Sequence, residues 1–495
     1  MHLATVTYRY LRFAVCVALG AILVATWIGY GQRVEAVSPT VVDRNLAVRT
    51  VVGGLEDPTT MAFLGSSDIL VLEKNSGRVQ RVVNGSVQGT VLDLAVNFGS
   101  ERGLLGIALH PGFPSNPGVY LYWTESTTGD DTSTLSNTPL LGNRVDRFTW
   151  NGSALSLERN IIRLRALQQD AGQPERGNHD GGVIRFGPDG KLYIIVGDTG
   201  RRGQMQNLPC GPTATCPGPP VPDDQFGGPE PDDAHLTGVI LRLNDDGTAP
   251  TDNPFFSAGM QRGGEVGANI QKIFAYGIRN SFGMAFDPIS GDLWEQENGD
   301  DSFSEINRVE PGFNSGWIQI MGPAERVPEY KAIETSPEFF GLQQIRWLPT
   351  LIADTPEQAL SRLFMLPGAH FSDPELSWRF EVAPGGIGFM NGRALGPQYH
   401  GDLFVGGARD FLEGGHLFRL NLTGNRRKIG VDDPRLEDRV ADNLGKFEIT
   451  ESESLLFGRN FGVITDIHTG LNGNLFLVSL SHGAIYEIHR TRPGR

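Results

Sequence analysis

Three features are scarce in this sequence: cysteine, positive charge and long apolar runs. Its 495 residues include three cysteines, and 42 lysines and arginines stand against 57 aspartates and glutamates. The formal net charge of −15, with no basic run to offset it, repels phosphate backbones and argues against nucleic-acid binding. Only one apolar run, at residues 13–30, is long enough to span a bilayer, so at most one membrane-spanning segment is expected.

The N-terminal residues predict export. Arg9 and Arg12 precede the apolar run as the positively charged region of an export signal, and Val34-Glu35-Ala36 offers a small-residue cleavage site. Residues 1–36 are therefore predicted to be a signal peptide, with an uncleaved membrane anchor as the alternative. Both alternatives place the remaining chain in the periplasm or outside the cell, and the second tethers it to a membrane.

Two of the three cysteines, Cys210 and Cys216, lie in the proline-rich stretch PCGPTATCPGPP. A cysteine pair that closes a short loop in an exported chain indicates a disulfide. A metal site is the alternative, but it needs more histidine or cysteine than this loop contains.

Glycine and proline are abundant, with 64 and 31 residues, which suits an architecture of many tight turns and short strands. Helical periodicity is scarce, and residues 356–363 are the best helix candidate. One pattern recurs six times, a Gly/Asn/Asp turn followed by a short apolar strand. It occurs at residues 65–82, 116–125, 187–198, 290–299, 400–410 and 471–488.

Six such units predict an all-β fold, a six-bladed β-propeller over residues 45–490. A two-sheet β-sandwich is the alternative, but it does not explain six similar units. Residues 205–235 and 321–380 interrupt the pattern and are predicted to be long loops on one face of the ring, where propellers carry function.

A histidine and an aspartate flank one predicted hairpin, in GNHDGGVIRFGPDGKLYIIVGDTG. His179 precedes its first strand and Asp198 ends its second, so the hairpin brings both residues to the same end. A carboxylate beside an imidazole orients the ring and raises its basicity, as a general base requires. The alternative is that both residues only stabilise turns.

Arg279-Asn280 ends another predicted strand, and an acidic stretch containing Glu297, Asp300, Asp301 and Glu305 follows one hairpin later. Oxygen-rich loops of this kind suit Ca²⁺. The alternative is an ordinary solvated acidic loop.

Together these segments resemble the soluble quinoprotein glucose/sorbosone dehydrogenase family, exported six-bladed propellers that use pyrroloquinoline quinone (PQQ) and calcium. The motifs that carry the resemblance are ERGLLGIALHPGFPSNPGVYLYW (101–123), NHDGGVIRFGPDGKLYIIVGD (178–198), GVILRLNDDGTAPTDNPF (238–255), AYGIRNSFGMAFDP (275–288), ENG…SEINRVEPGFNSGW (297–317) and DLFVGGARD (402–410). The resemblance runs from about residue 48 to the C-terminus, except for residues 321–380.

The resemblance implies roles for individual residues. The catalytic base of the family matches His179, and the aspartate that orients it matches Asp198. The quinone-contacting pair matches Arg279 and Asn280. Two further cofactor contacts, a polar residue and a lysine in the family, align with Glu101 and Arg409. The backbone carbonyls that bind calcium align with Gly299 and Asp300.

The sequence departs from the family at two places. Asp300 replaces a frequent proline, which leaves the carbonyl ligand in place. In the last unit, Val463 and Thr465 stand where the family commonly has two arginines that hold cofactor carboxylates. The candidates to supply the missing positive charge are Arg409, Arg459 and Arg185.

The resemblance implies an exported PQQ-dependent dehydrogenase that oxidises an aldose sugar, or a related alcohol or aldehyde, by hydride transfer to the quinone and passes the electrons to an acceptor. The alternatives are a non-catalytic propeller that serves as a binding module, favoured by the missing arginines, and a calcium-dependent lactonase-type hydrolase.

Overall fold

The computed structural model describes residues 38–168, 176–200, 207, 235–339, 352–408 and 415–491. Residues 1–37, both cysteines of the predicted disulfide and Arg409 lie outside these ranges. The described residues belong to one compact unit, Ser38–Arg495.

Six sheets of mostly antiparallel strands follow one another along the chain, and each is one blade of the ring. The strands of blades 1 to 3 are β3 Pro58–Gly65, β4 Asp68–Glu73, β5 Arg78–Val83 and β6 Ser86–Asp93; β7 Leu104–Leu109, β8 Gly118–Thr124, β9 Asn143–Trp150 and β10 Leu155–Leu164; and β11 Ile184–Phe186, β12 Leu192–Val196, β13 Val239–Leu243 and β14 Ile273–Tyr276.

The strands of blade 4 are β15 Gly283–Phe286, β16 Leu293–Glu297, β17 Ser302–Val309 and β18 Leu376–Phe380, with β23 Val440–Ala441 added in parallel. Blade 5 contains β19 Pro384–Phe389, β20 Leu403–Gly407, β21 His416–Leu422, β22 Ile429–Gly430, β24 Leu456–Arg459 and β1 Thr40–Val41. Blade 6 contains β25 Ile464–Thr469, β26 Leu475–Ser479, β27 Ala484–Arg490 and β2 Leu46–Gly53.

The ring closes through blade 6, where the early strand β2 pairs with the last strand β27 in an antiparallel ladder. A buried apolar cluster then joins this blade to blade 1, with Val52, Phe476 and Ile485 on one side and Met61 and Val71 on the other. The first strands of neighbouring blades pack against one another around the axis. The predicted six-bladed propeller is therefore confirmed.

The six sequence repeats each contain the second strand of a different blade, namely β4, β8, β12, β16, β20 and β26. These strands are buried almost throughout; every residue of Leu192–Val196 is buried, for example. A strand covered on both faces by neighbouring blades needs a continuous run of apolar, β-branched residues, which is the signal that the repeats carry.

Four α-helices lie within the described ranges: α1 Phe256–Arg262, α2 Gly264–Ile270, α3 Val327–Glu334 and α4 Pro356–Arg362. Short 3₁₀ turns occur at Leu135–Asn137, Ala324–Arg326, Pro397–Tyr399, Pro434–Leu436 and Ser452–Leu455. None of these helices combines the length and apolar character needed to cross a bilayer.

The helix expected near residue 356 is confirmed as α4, where the Thr355 side chain caps the helix by accepting from Gln358 N. The surrounding range 321–380 is not a loop throughout. It contains α3 and α4, which pack with Trp317 and Met321 in a separate apolar cluster, and its last residues form β18 of blade 4.

Candidate active site

Glu101, His179 and Arg279 lie in the segments just before β7, β11 and β15, the first strands of blades 2, 3 and 4. Because the first strands surround the ring axis, these segments converge at one end of the central channel. The Glu101 carboxylate links them, since its Oε2 accepts from His179 N at 2.7 Å and from Asn280 Nδ2 at 3.1 Å. The segments before the first strands of three blades are therefore joined in one hydrogen-bonded network.

His179 and Asp198 are both buried and in direct contact, with His179 Nδ1 2.6 Å from Asp198 Oδ1. The same oxygen accepts from Gly200 N at 2.6 Å, and Asp198 Oδ2 accepts from Trp317 Nε1 at 2.8 Å. An ionised carboxylate can only accept, so this network assigns the ring proton to Nδ1. Nε2 is then the basic nitrogen of His179, which is the arrangement of a general base.

The Arg279 guanidinium is buried beside this pair. It donates to Asn298 O at 2.9 Å and to Asp300 Oδ1 at 3.0 Å, and its central carbon lies 5.4 Å from the Trp317 ring centroid. Arg279 Nε and Asn280 Oδ1 are buried without a hydrogen-bond partner among the described residues. Unpaired buried polar atoms are costly, so these two atoms indicate a polar ligand here.

Three carboxylates, Asp300, Asp301 and Glu334, form an acidic group next to Arg279. One oxygen of each lies within 4.8 Å of the others. Burial, reinforced by the negative charge of Asp300 and Asp301, raises the pKa of Glu334 to about 8. Lys446 partly neutralises the group, because its Nζ pairs with the Asp301 carboxylate and lies 3.3 Å from Asp300 O. An all-oxygen donor set fits a hard divalent cation such as Ca²⁺, which would also favour the ionised form of Glu334.

Gly299 leads into this acidic group and has no room for a side chain. A Cβ atom at this position would lie 1.9 Å from Ser302 O. The backbone therefore folds back on itself here and brings Asp300 towards Arg279.

The acidic stretch that the sequence presents as one loop is divided in the structure. Glu297 and Glu305 are opposite each other on β16 and β17 and are buried within blade 4. Glu297 accepts from Arg279 N at 2.5 Å and from Ser315 Oγ at 2.7 Å, so it fixes the backbone of the arginine. Of the four acidic residues in this stretch, only Asp300 and Asp301 join Glu334 in the acidic group.

A small cavity of about 70 Å³ lies on the ring axis, lined by first-strand residues including Thr60, Leu105, Arg185 and Thr465. We call it the axial cavity. Arg185 is the only cation among the described residues that line it. Arg459 instead lines a different cavity with His416 and Lys446.

The structure brings six of the eight predicted site residues into one hydrogen-bonded network: Glu101, His179, Asp198, Arg279, Asn280 and Asp300. Gly299 adjoins this network, and Arg409 lies outside the described residues. Sequence reasoning did not single out Trp317, Glu334 or Lys446. Trp317 stands in the quoted motif NSGW, but its contact with Asp198 spans 119 residues and has no local signal.

Comparison with known proteins gives a consistent result. The family described as Glucose / Sorbosone dehydrogenase matches residues 55–213 and 223–338, more than half of the chain. Quinoprotein glucose dehydrogenase B of Acinetobacter calcoaceticus is 30% identical over 291 residues, which cover 56% of this chain and 53% of that protein. The match thus spans about half the length of that relative.

Two further relatives match over most of their length. Aldose sugar dehydrogenase YliI of Escherichia coli is 23% identical over 433 residues, 86% of this chain and 87% of that protein. The solved PQQ-bound form of aldose sugar dehydrogenase from Streptomyces coelicolor has a TM-score of 0.54 at 23% identity, covering 91% of this chain and 99% of that one. This likeness establishes the fold that the two chains share.

Proposed function

Because this chain belongs to the glucose/sorbosone dehydrogenase family, we propose that it oxidises an aldose sugar at a CH–OH carbon, with PQQ as the hydride acceptor. The observation that carries the proposal is the buried contact between His179 Nδ1 and Asp198 Oδ1 at 2.6 Å. Gly200 N and Trp317 Nε1 hold this carboxylate against the imidazole, and a carboxylate in that position orients the base and stabilises its charged form.

Each residue of the site has its own role in the proposed oxidation. His179 Nε2 takes the proton from the sugar hydroxyl as the carbon is oxidised. Asp198 stabilises the imidazolium that forms, and Trp317 and Gly200 keep the carboxylate in place. Arg279 places a fixed positive charge where negative charge develops, in a buried setting where such a charge acts strongly.

PQQ fits the residues at this end of the central channel. Arg279 Nε and Asn280 Oδ1 offer a buried donor and acceptor that lack partners among the described residues, and Glu101 holds Asn280 in position. These residues, with Arg409 by resemblance, would hold the cofactor. When bound, the quinone supplies the two-electron acceptor that side chains lack.

The acidic group fits calcium. Asp300, Asp301 and Glu334 offer carboxylate oxygens, and the resemblance adds the carbonyls of Gly299 and Asp300. When Glu334 also ionises, the three carboxylates exceed the two cations Lys446 and Arg279 by one negative charge, which a divalent cation here would offset.

The same proposal has four further parts. The protein is exported to the periplasm or cell exterior, and its N-terminal segment can tether it to a membrane. Cys210 and Cys216 form a disulfide, and the electrons pass to an external acceptor. These four parts are consistent with the apolar run at residues 13–30 and with the family.

The test uses purified protein with added PQQ and Ca²⁺. We expect bound-cofactor absorbance and reduction of an electron-accepting dye when aldoses are supplied, both absent without PQQ. If PQQ does not bind, the proposed dehydrogenase function is wrong and the non-catalytic binding module is favoured. If the protein hydrolyses lactones with calcium alone, the lactonase-type hydrolase is favoured.

A further inference from the structure

The two arginines that the family commonly has in the last blade are absent, since Val463 and Thr465 occupy their places. The structure turns the Thr465 hydroxyl towards the backbone, 3.3 Å from Pro58 O. A cofactor with three carboxylates needs positive charge nearby, and these positions supply none.

Arg185 places a positive charge beside Thr465 in the axial cavity, and it reaches this cavity from the opposite side of the ring. It lies on β11 of blade 3, and its NH2 group is 2.7 Å from Asp466 Oδ1 on β25 of blade 6. Blades 3 and 6 are three blades apart in a ring of six, so this side chain crosses the axis. Arg185 and Thr465 line the same axial cavity.

Several hydrogen bonds besides the one from Arg185 hold the Asp466 carboxylate in position. The carboxylate also accepts from the Thr60 hydroxyl and from Met61 N at 3.3 Å, and His468 Nε2 lies 2.8 Å away. Although burial opposes it, the proximity of His468 and Arg185 holds the pKa of Asp466 well below its ordinary value. The anion is thus shared among several donors and does not depend on the guanidinium alone.

Arg185 keeps donors for a second partner. A guanidinium has five N–H groups, and among the described residues only Ile184 O and Asp466 accept from this one. Its side chain remains 18% exposed, whereas that of Asp466 is 2% exposed. The open edge of the guanidinium can therefore reach a ligand in the axial cavity.

The geometry points to Arg185 as the cofactor-binding cation that takes the place of the last-blade arginines and binds a carboxylate of PQQ from across the axis. This inference rests on the proposed function. It makes Arg185 a binding residue, contributed by the hairpin that also carries His179 and Asp198.

The test measures the dissociation constant of PQQ for the cofactor-free protein by equilibrium dialysis, without any turnover. Arg185→Met is combined with Asp466→Asn, so that no buried carboxylate is left unpaired. We expect this double variant to bind PQQ about 10- to 100-fold more weakly, the effect of one lost charge-assisted hydrogen bond. Asp466→Asn alone retains the cation and should bind PQQ like the wild type.

A matched control is available in the same chain. Arg426 pairs with Asp287 away from the axial cavity, and their side chains are 16% and 0% exposed, much like those of Arg185 and Asp466. Arg426→Met with Asp287→Asn therefore removes a similar ion pair and should leave PQQ affinity unchanged. Circular dichroism checks that each variant is folded.

A rescue variant makes the inference sharper. Adding Thr465→Arg to the Arg185→Met/Asp466→Asn protein returns a guanidinium to the axial cavity from the last blade and should recover most of the lost affinity. If the folded double variant binds PQQ within about 2-fold of the Arg426 control, below the effect of one charged hydrogen bond, the inference is overturned and the proposed function stands. If the wild type binds no PQQ, the proposed function itself fails.

Discussion

The backbone of His179 has a φ of 60°, a left-handed conformation that a non-glycine residue keeps only when its surroundings hold it there. Here the Glu101 carboxylate holds its amide and Asp198 holds its ring. The side chain is thus fixed before any ligand arrives, which is a property of catalytic groups.

Replacing this residue by His179→Ala removes the proton acceptor. We expect sugar turnover to fall on the order of 10²–10⁴-fold while PQQ still binds, because Arg279 and Asn280 are unchanged. Steady-state kinetics and a PQQ-binding measurement check the two parts. His489→Ala, on the outer part of blade 6, serves as the control and should retain wild-type turnover. A fully active His179→Ala protein would contradict the assigned role.

Asp198 orients the base, so its replacement should affect kcat and not sugar binding. For Asp198→Asn we expect kcat to fall on the order of 10²-fold with little change in KM, because the imidazolium loses its counter-charge. Trp317→Phe removes one of three donors to the carboxylate and leaves its charge, so its effect should be smaller. The ranking is measured with one sugar at saturating PQQ. An equal loss in both variants would mean that the negative charge of Asp198 contributes nothing beyond the orientation that Trp317 helps to fix.

At the scale of elements, blade 4 is unusual in the carboxylates that it buries. Glu297 on β16, Glu305 on β17 and Glu334 on α3 are all buried, and Glu381 follows β18. Burial raises the pKa of Glu297 and of Glu381 to about 7 and that of Glu334 to about 8. This group of strands and α3 therefore folds with protons that the unfolded chain does not hold at neutral pH.

The sign of the pH dependence follows from these shifts. Unfolded glutamates ionise near pH ~4.3, so between about pH 5 and 8 the folded state binds more protons, and the free energy of unfolding falls as pH rises. Urea unfolding of the calcium-free protein at several pH values measures this slope. Glu334→Gln should flatten its upper part, between about pH 7 and 8, and the exposed Glu325→Gln should not. Identical slopes for both variants would show that Glu334 is ionised in the fold.

Calcium should change the same slope. A divalent cation at Asp300, Asp301 and Glu334 favours the ionised carboxylates, so the protein with Ca²⁺ should lose less stability between about pH 7 and 8 than the calcium-free protein. Thermal unfolding with and without the ion checks this. An unchanged slope in millimolar Ca²⁺ would count against binding at the acidic group.

At the scale of the whole molecule, stability depends on closure of the ring. Ile485 lies on β27 and is fully buried in the cluster that joins blade 6 to blade 1. Ile485→Ala should lower the free energy of unfolding by about 2–5 kcal/mol, since it leaves a cavity at this junction. The control Leu471→Ala removes a side chain that is 67% exposed and should cost less than about 0.5 kcal/mol. Equal costs would show that the junction contributes no more than the surface.

Much of the fold could be read from the sequence, because a blade is built from local signals. A turn followed by a short apolar strand needs only neighbouring residues, and each of the six repeats contains the second strand of its own blade. The contact between His179 and Asp198 followed in the same way, since one hairpin holds both. Helix α4 was also predicted, but α3, the apolar cluster that packs it with α4, and the late outer strand β18 were not. They depend on contacts made across a long insertion, and such contacts leave no local signal.

The sequence by itself thus determined the strands, their number of repeats and the His179–Asp198 pair, all of which depend on hydrogen bonds and apolar patterns within about twenty residues. Only the tertiary structure decided which distant side chains meet on the axis. Asp198 meets Trp317 across 119 residues, and Arg185 meets Asp466 across 281. Such contacts exist because six blades close into a ring, and closure brings together segments whose separation along the chain carries no local signal.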